Sequence, residues 1–254
     1  MRENKVRQIW AEGGNVVNGW LAIPDSFSAE MMAHCPWDSL TVDMQHGMVD
    51  FQAAVPMLQA ISTSDKTPLA RVPWNDPASI MKILDAGAFG VVCPMINDRE
   101  EAERFVGACR YVPDGYRSFG PARGLLYGGG DYYQHANDSI ITLAMIETLP
   151  AMGNLDEIMS TPGLDAVYVG PSDLAISLGH PPAGDPPIAE VVEAIDTILA
   201  AAKRNEVVAG IHCADGAMVK RMADKGFQFC TISNEVRLMA AKSVEEIAVA
   251  RGDG

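Results

Sequence analysis

The feature that most constrains this chain is a recurrence of short apolar segments, each followed by a longer stretch with helical spacing. The segments are Val16–Ala22, Ser39–Asp43, Pro68–Val72, Gly90–Pro94, Ile141–Ile146, Ala166–Val169, Val207–Ile211 and Phe227–Thr231. Most are continuously apolar rather than alternating, and they are rich in β-branched residues. Strands of that kind are covered on both faces, as in a parallel sheet wrapped by helices. Eight of them in 254 residues predict an α/β fold, a (β/α)8 TIM barrel, which typically takes about 250 residues. Residues 1–254 read as a single domain. Two domains of half that length would also fit, so the strand count carries the argument and length does not.

Helical stretches fill the intervals. Phe51–Ala60 follows Asp50, a natural cap, and Asp76-Pro77 opens Ala78–Leu84 with Gly87 beyond its end. Asp98–Cys109, Leu155–Met159, Ile188–Arg204 and Ala214–Asp224 follow later strands, and the Ala-rich Glu235–Ala248 comes last. The main irregular stretch, Arg110–Gly130, carries Tyr111, Tyr116, Arg117, Phe119, Arg123 and Tyr127 among glycines and prolines. Two readings of it stand: an insertion covering the barrel mouth, or an excursion that packs its own aromatics. Gly179–Pro187 is a second long connection.

Charge narrows the partners. The formal net charge is −14, which disfavours nucleic acid and anionic membrane surfaces. An anionic substrate would have to meet a local Arg or a metal ion. No run approaches the ~18 apolar residues of a membrane span, and Met1–Glu12 lacks the apolar core of a signal peptide. The five cysteines are an odd set without Cys-x-x-Cys spacing, so they read as reduced thiols of a cytoplasmic protein.

In a barrel, chemistry sits at the C-terminal ends of the strands. Those ends here read Asp43-Met44-Gln45-His46-Gly47, Arg71-Val72-Pro73, Glu147-Thr148, Gly170-Pro171-Ser172-Asp173, His212 and Ser233-Asn234. Glu147 ends an apolar run, where an unpaired charge is costly. Asp173 lies one strand on, and two carboxylates at one site call for a shared proton or a divalent ion. With no Cys/His cluster, hard oxygen ligands suit Mg2+ or Mn2+. The plainer alternatives are a salt bridge to a barrel arginine for Glu147 and a helix cap for Asp173. Asp43 beside His46 suggests a carboxylate–imidazole pair serving as general base. Arg71 suits a carboxylate or a developing enolate oxygen, or simply an ion pair with Asp43. None of the seven lysines falls in an apolar segment, which disfavours Schiff-base chemistry. No glycine pattern supports a nucleotide cofactor.

At these residues the sequence resembles the metal-dependent class II pyruvate aldolases, the group of 4-hydroxy-2-oxoheptanedioate and 2-keto-3-deoxy-L-rhamnonate aldolases. Asp43–Gly47, Arg71-Val72-Pro73, Met145–Thr148 and Gly170–Leu174 carry the match, with Tyr116–Arg123 as a further segment. The resemblance implies Glu147 and Asp173 as ligands of Mg2+, Mn2+ or Co2+, and His46 with Asp43 as the catalytic dyad. It implies Arg71 near the keto oxygen and Gly170, Pro171 and Ser172 around the substrate carboxylate. Met145 stands where certain relatives have a Gln on the substrate side, and Gln45 where many have Glu. It further implies a C-terminal helix exchanged between subunits of a homo-hexamer, a trimer of dimers. The expected reaction is reversible retro-aldol cleavage of a 4-hydroxy-2-oxo acid to an aldehyde and pyruvate, or hydroxypyruvate, through a metal-stabilised enolate. A citramalyl- or malyl-CoA-type lyase, a decarboxylating carbon–carbon bond former acting on a 2-pyrone, and a non-enzymatic barrel are the alternatives.

Overall fold

All eight expected strands form, each within two residues of its expected bounds, and they pair in parallel and in chain order into a closed barrel. The structure is a computed structural model that describes residues 1–252. Its strands are β1 (Val16–Leu21), β2 (Ser39–Asp43), β3 (Thr67–Arg71), β4 (Gly90–Cys93), β5 (Ile141–Ile146), β6 (Ala166–Val169), β7 (Val208–Cys213) and β8 (Phe229–Ile232). The fold is therefore the (β/α)8 barrel that the segment pattern predicts.

Among the described residues thirteen helices accompany it: α1 (Lys5–Ala11), α2 (Ser26–Ala33), α3 (Phe51–Ile61), α4 (Pro77–Asp85), α5 (Arg99–Cys109), α6 (Ala122–Gly128), α7 (Tyr132–Ser139), α8 (Leu149–Gly153), α9 (Leu155–Met159), α10 (Pro171–Ser177), α11 (Ala189–Arg204), α12 (Gly216–Lys225) and α13 (Glu235–Arg251). Asp50 and Asp76 cap α3 and α4 as expected, and Asp98 caps α5 rather than joining it. Each accepts a backbone N–H from the first turn, satisfying one of the donors a helix start leaves open. The short helices α1, α2, α6, α7, α8 and α10 have too few turns for an apolar stripe to show in sequence.

Side-chain direction alternates along each strand, and that alternation sorts the core into two shells. Leu40, Val42, Ala70, Val91, Ala144, Ile146, Val167, Val169 and Ile211 face outward into the helices. The other parity fills the barrel with Val16, Trp20, Leu69, Val92, Ile141, Leu143, Met145, Ala166, Tyr168 and Phe229. Val6 of α1 is fully buried against this inner cluster, and Trp10 Nε1 donates to Gln228 O at 2.9 Å, so α1 closes the N-terminal end. Buried polar groups inside the barrel satisfy one another. Asn18 donates to Thr231 and accepts from Ser39 and Thr41 at 2.8–3.2 Å.

The segment after α5 does not cover the mouth. α5 returns the chain to the N-terminal end of the barrel before Arg110 begins it. There Arg117 pairs with Asp85 at the end of α4, and Arg123 donates to Leu58 O and Ala86 O. Tyr111 and Phe119 cluster with Tyr133 at centroid distances of 5.2–5.8 Å. Local packing is thus the reading the structure upholds. At the other terminus, α13 departs from its own barrel. Glu235 is its one buried residue, and Met239, Val244, Ile247 and Val249 are exposed. Among the described residues no helix is long and apolar enough to cross a membrane.

Candidate active site

The mouth residues are the next steps of the inward register. Continuing Ile141, Leu143, Met145 by two gives Glu147, and continuing Ala166, Tyr168 gives Gly170. Asp43 and Arg71 close the inward rows of β2 and β3, where they are paired across the sheet. A cavity of about 230 Å3 opens here. Asp43, His46, Arg71, Met145, Gly170, Pro171, Ser172 and Asp173 all line it. Glu147 lies beside them, since the glycine at 170 leaves room for its Oε2, which a Cβ there would approach to within 2.4 Å.

Glu147 is 3% exposed. Its Oε1 accepts the Met95 N–H at 2.9 Å, and Met95 takes a left-handed conformation (φ 57°) at the end of β4 to present that donor. Strained backbone of this kind persists where the surroundings hold it, often at functional sites. Burial, with the charge of Asp173 nearby, pushes the Glu147 carboxyl up to about 7 against the opposing Met95 hydrogen bond. The expected alternative for Glu147, a salt bridge to a barrel arginine, is not realised among the described residues. Arg71 is committed elsewhere.

Asp173 is exposed toward the mouth in the first turn of α10, where the helix dipole favours a negative charge. Gly170 occupies the cap position itself, so Asp173 is not the cap. Pro171 has no N–H, and Ser172 N–H is one of the first-turn donors without an intrahelical acceptor.

Asp43 and Arg71 form a buried two-pronged ion pair, Nε to Oδ1 at 2.8 Å and Nη2 to Oδ2 at 2.6 Å. Trp20 Nε1 adds a third donor at 3.0 Å, and the guanidinium lies 4.9 Å from the Trp20 ring. Burial alone would raise the Asp43 carboxyl, but Arg71, Trp20 and the His46 N–H together hold it below the ordinary carboxylate range. The expected Asp43–His46 pair changes character. Asp43 Oδ1 accepts the backbone N–H groups of Gln45 and His46 at 3.1 and 3.2 Å, so it shapes the turn carrying His46 while its strong bonds go to Arg71. The His46 side chain itself lines the mouth.

Sequence reasoning gave no role to Trp20, Tyr168 or Arg237, and placed His212 only as a polar strand end. Trp20 and Tyr168 stack at 5.7 Å, and Tyr168 O–H lies 3.0 Å from His212 Nδ1 and 2.8 Å from Thr231 Oγ1. The signal was present: both aromatics sit at inward positions of their strands.

No group of three or more His, Cys, Asp or Glu set to hold a metal occurs among the described residues. Glu147 and Asp173 offer carboxylate oxygens of the kind hard cations such as Mg2+ take, and the rest of such a shell would have to come from water or substrate.

The profile described as HpcH/HpaI aldolase/citrate lyase matches residues 19–241. A hydroxypyruvate/pyruvate aldolase of Rhizorhabdus wittichii is 42% identical over 248 residues, spanning 98% of this chain and 99% of that protein. A 4-hydroxy-2-oxo-heptane-1,7-dioate aldolase of Escherichia coli is 33% identical over 253 residues, spanning 98% and 95%. The crystal structure of an HpcH/HpaI aldolase/citrate lyase family protein from Burkholderia cenocepacia superposes with a TM-score of 0.90 at 30% identity, covering 98% of this chain and 99% of that one. The inward carboxylates, the Arg71–Asp43 pair and these matches agree: the chain belongs to the HpcH/HpaI aldolase/citrate lyase family.

Proposed function

We propose that the protein cleaves and forms the C3–C4 bond of a 4-hydroxy-2-oxo acid, with pyruvate or hydroxypyruvate as the 2-oxo acid product. Family membership supports an aldolase or lyase acting on such acids. The observation that carries the finer reading is Glu147, a buried carboxylate with a raised pKa beside Asp173 and against the cavity that Arg71 lines.

Glu147 and Asp173 would hold a divalent ion, Mg2+, Mn2+ or Co2+. Bound there, the ion would act as a Lewis acid toward the 2-oxo group. The chain's own residues do the rest. Gly170, Pro171 and Ser172 receive the substrate carboxylate, and Met145 packs beside it. Arg71 donates to the keto oxygen as negative charge develops there. Asp43 fixes that guanidinium and the turn bearing His46. His46 takes the proton of the 4-hydroxyl, directly or through a water. The C3–C4 pair of electrons passes toward C2 and its oxygen, the aldehyde leaves, and a proton returned to C3 gives the 2-oxo acid.

A panel of 4-hydroxy-2-oxo acids, assayed after chelation and again after adding each ion, tests this reading. Turnover should fall on chelation and return with the ion. Full turnover in the chelated protein would reject the metal role.

The same reading includes a homo-oligomer, a hexamer built as a trimer of dimers, in which the exposed apolar residues of α13 pack on a neighbouring subunit. Light scattering should then report six copies of the 27.2 kDa chain. A monomeric mass at micromolar concentration would contradict it.

A further inference from the structure

We propose that His212 is a catalytic residue whose Nε2–H donates to the C4 oxygen of the substrate as the C3–C4 bond forms or breaks. The inference rests on the aldolase reading above and fills a gap in it. Arg71 meets the charge that develops on the 2-oxo group, and that reading gives the charge on the C4 oxygen no donor.

The position follows from register. Tyr168 pairs with Gly210 across β6 and β7, so the next inward step brings His212 beside Gly170. On its other side His212 pairs with Thr231 of β8. It therefore stands in the layer of the mouth, on the wall of the cavity that His46, Arg71 and Gly170 also line. The groups assigned to the 2-oxo acid come from β3, β5, β6 and the start of α10. A substrate held by them turns its C4 end to the remaining wall, whose first strand is β7. The imidazole is fixed there edge-on against Trp20 at 5.3 Å.

Which nitrogen carries the proton follows from where the hydroxyl hydrogens inside the barrel can go. Ser39 and Thr41 donate to Asn18 Oδ1, and Asn18 Nδ2 donates to Thr231 Oγ1 at 3.0 Å. Thr231 is fully buried, so its own O–H needs an acceptor. Among the described residues the oxygen in reach is Tyr168 Oη, 2.8 Å away. With that bond made, the Tyr168 O–H is directed to His212 Nδ1 at 3.0 Å. The chain Asn18, Thr231, Tyr168, His212 then runs donor to acceptor without a gap. The opposite direction would leave the Thr231 O–H buried and unpaired, which is unfavourable. A neutral imidazole has one N–H. With Nδ1 accepting, that N–H is on Nε2, the edge turned away from Tyr168.

The surroundings also keep the ring neutral. Burial and then the charge of Arg71 bring the imidazole down to about 4, against the pull of Asp43, with Arg237 adding to the fall. At neutral pH His212 thus keeps one proton and carries no charge. A neutral imidazole can still serve as the hydrogen-bond donor to a developing oxyanion. In synthesis C3 of the enolate attacks the aldehyde carbon, and the C=O π pair moves to oxygen. That oxygen takes the Nε2–H hydrogen bond, and His46 returns the proton that makes it the 4-hydroxyl. Cleavage retraces these steps. His46 moves the proton, and His212 holds the charge.

His212→Phe removes the donor and keeps a flat ring against Trp20. For the 4-hydroxy-2-oxo acid that the wild type cleaves fastest, kcat should drop about a hundredfold, as when one oxyanion donor is removed elsewhere. Exchange of the pyruvate methyl protons should stay at the wild-type rate, because enolisation involves no C4 oxygen. His212→Gln, which offers a side-chain N–H, should recover part of kcat. Nitrogen-15 NMR of the wild type should show His212 as the Nε2–H tautomer. Wild-type cleavage by His212→Phe would overturn the inference, as would an Nδ1–H tautomer. Equal losses of cleavage and exchange in His212→Phe would also overturn it, marking the residue as structural. Any of these in a wild type that cleaves such acids overturns this inference alone. A wild type that cleaves none overturns the aldolase reading and this one with it.

Discussion

Glu147→Gln should raise the thermal midpoint of the metal-free protein at pH 8 while removing nearly all turnover. Folding moves the Glu147 carboxyl from 4.5 to about 7. A carboxyl whose pKa is raised by folding binds more protons in the folded state, so stability falls as pH rises between those values. Below about 4.5 there is no penalty, and above about 7 it is complete, on the order of 3 kcal/mol at most. Gln is neutral at every pH and can still accept the Met95 N–H. The variant should therefore be several degrees more stable at pH 8, given about 2–4 °C per kcal/mol for a domain of this size. It should be little changed at pH 4.5. Activity should fall by more than about a hundredfold, since losing groups that merely orient ligands already costs about 10–100-fold. Added Mn2+ should raise the midpoint of the wild type and not that of the variant. Differential scanning calorimetry at the two pH values, with and without the ion, reads all of this. A variant less stable than the wild type at pH 8 would contradict the strained-carboxylate account.

The opposite behaviour is expected of Asp43. Its carboxylate receives two bonds from Arg71, one from Trp20 and two from backbone N–H groups. Asp43→Ala leaves a buried guanidinium without its partner, a change that typically costs about 3–5 kcal/mol. The same variant frees Arg71 from its donor geometry and loosens the turn of His46, so turnover should collapse along with stability. Asp43→Asn keeps an acceptor for the guanidinium and should lose less on both counts. Urea unfolding would show the difference as a shift of midpoint at constant slope. A loss below about 1 kcal/mol for Asp43→Ala would mean that water replaces the carboxylate and that Asp43 does not position Arg71.

These two residues also show how far the sequence could be read. The barrel was legible because its parallel strands are continuously apolar, and the strand ends then pointed to Asp43, Arg71, Glu147 and Asp173 without any coordinates. What pattern left open was pairing, since it offered Asp43 both the His46 imidazole and an ion pair with Arg71. Asp43 neighbours His46 in sequence, so a carboxylate–imidazole dyad was the natural expectation. In space Asp43 faces Arg71, because residues of equal parity on adjacent strands stand side by side. The same parity would have marked Trp20, Tyr168 and His212 as inward, had alternation been counted within the apolar runs. The segment from Arg110 to Gly130 needed one more step: counting which end of the barrel a helix delivers the chain to. Arg237 was invisible for a different reason. It lies beyond the last strand on a helix with little apolar periodicity, and only the anchoring of Glu235 onto Ala22 and Ile23 returns its first turn to the mouth.

The most direct test of the central claim is exchange of the pyruvate methyl protons for deuterium, followed by NMR in D2O. It reads enolisation alone and is independent of the aldehyde. The account predicts exchange by the wild type with Mg2+, Mn2+ or Co2+, abolished by chelation and restored by the ion. It predicts none beyond background in Glu147→Gln, Asp173→Asn or Arg71→Met. Exchange at the wild-type rate in the chelated protein, or in Glu147→Gln, would contradict it.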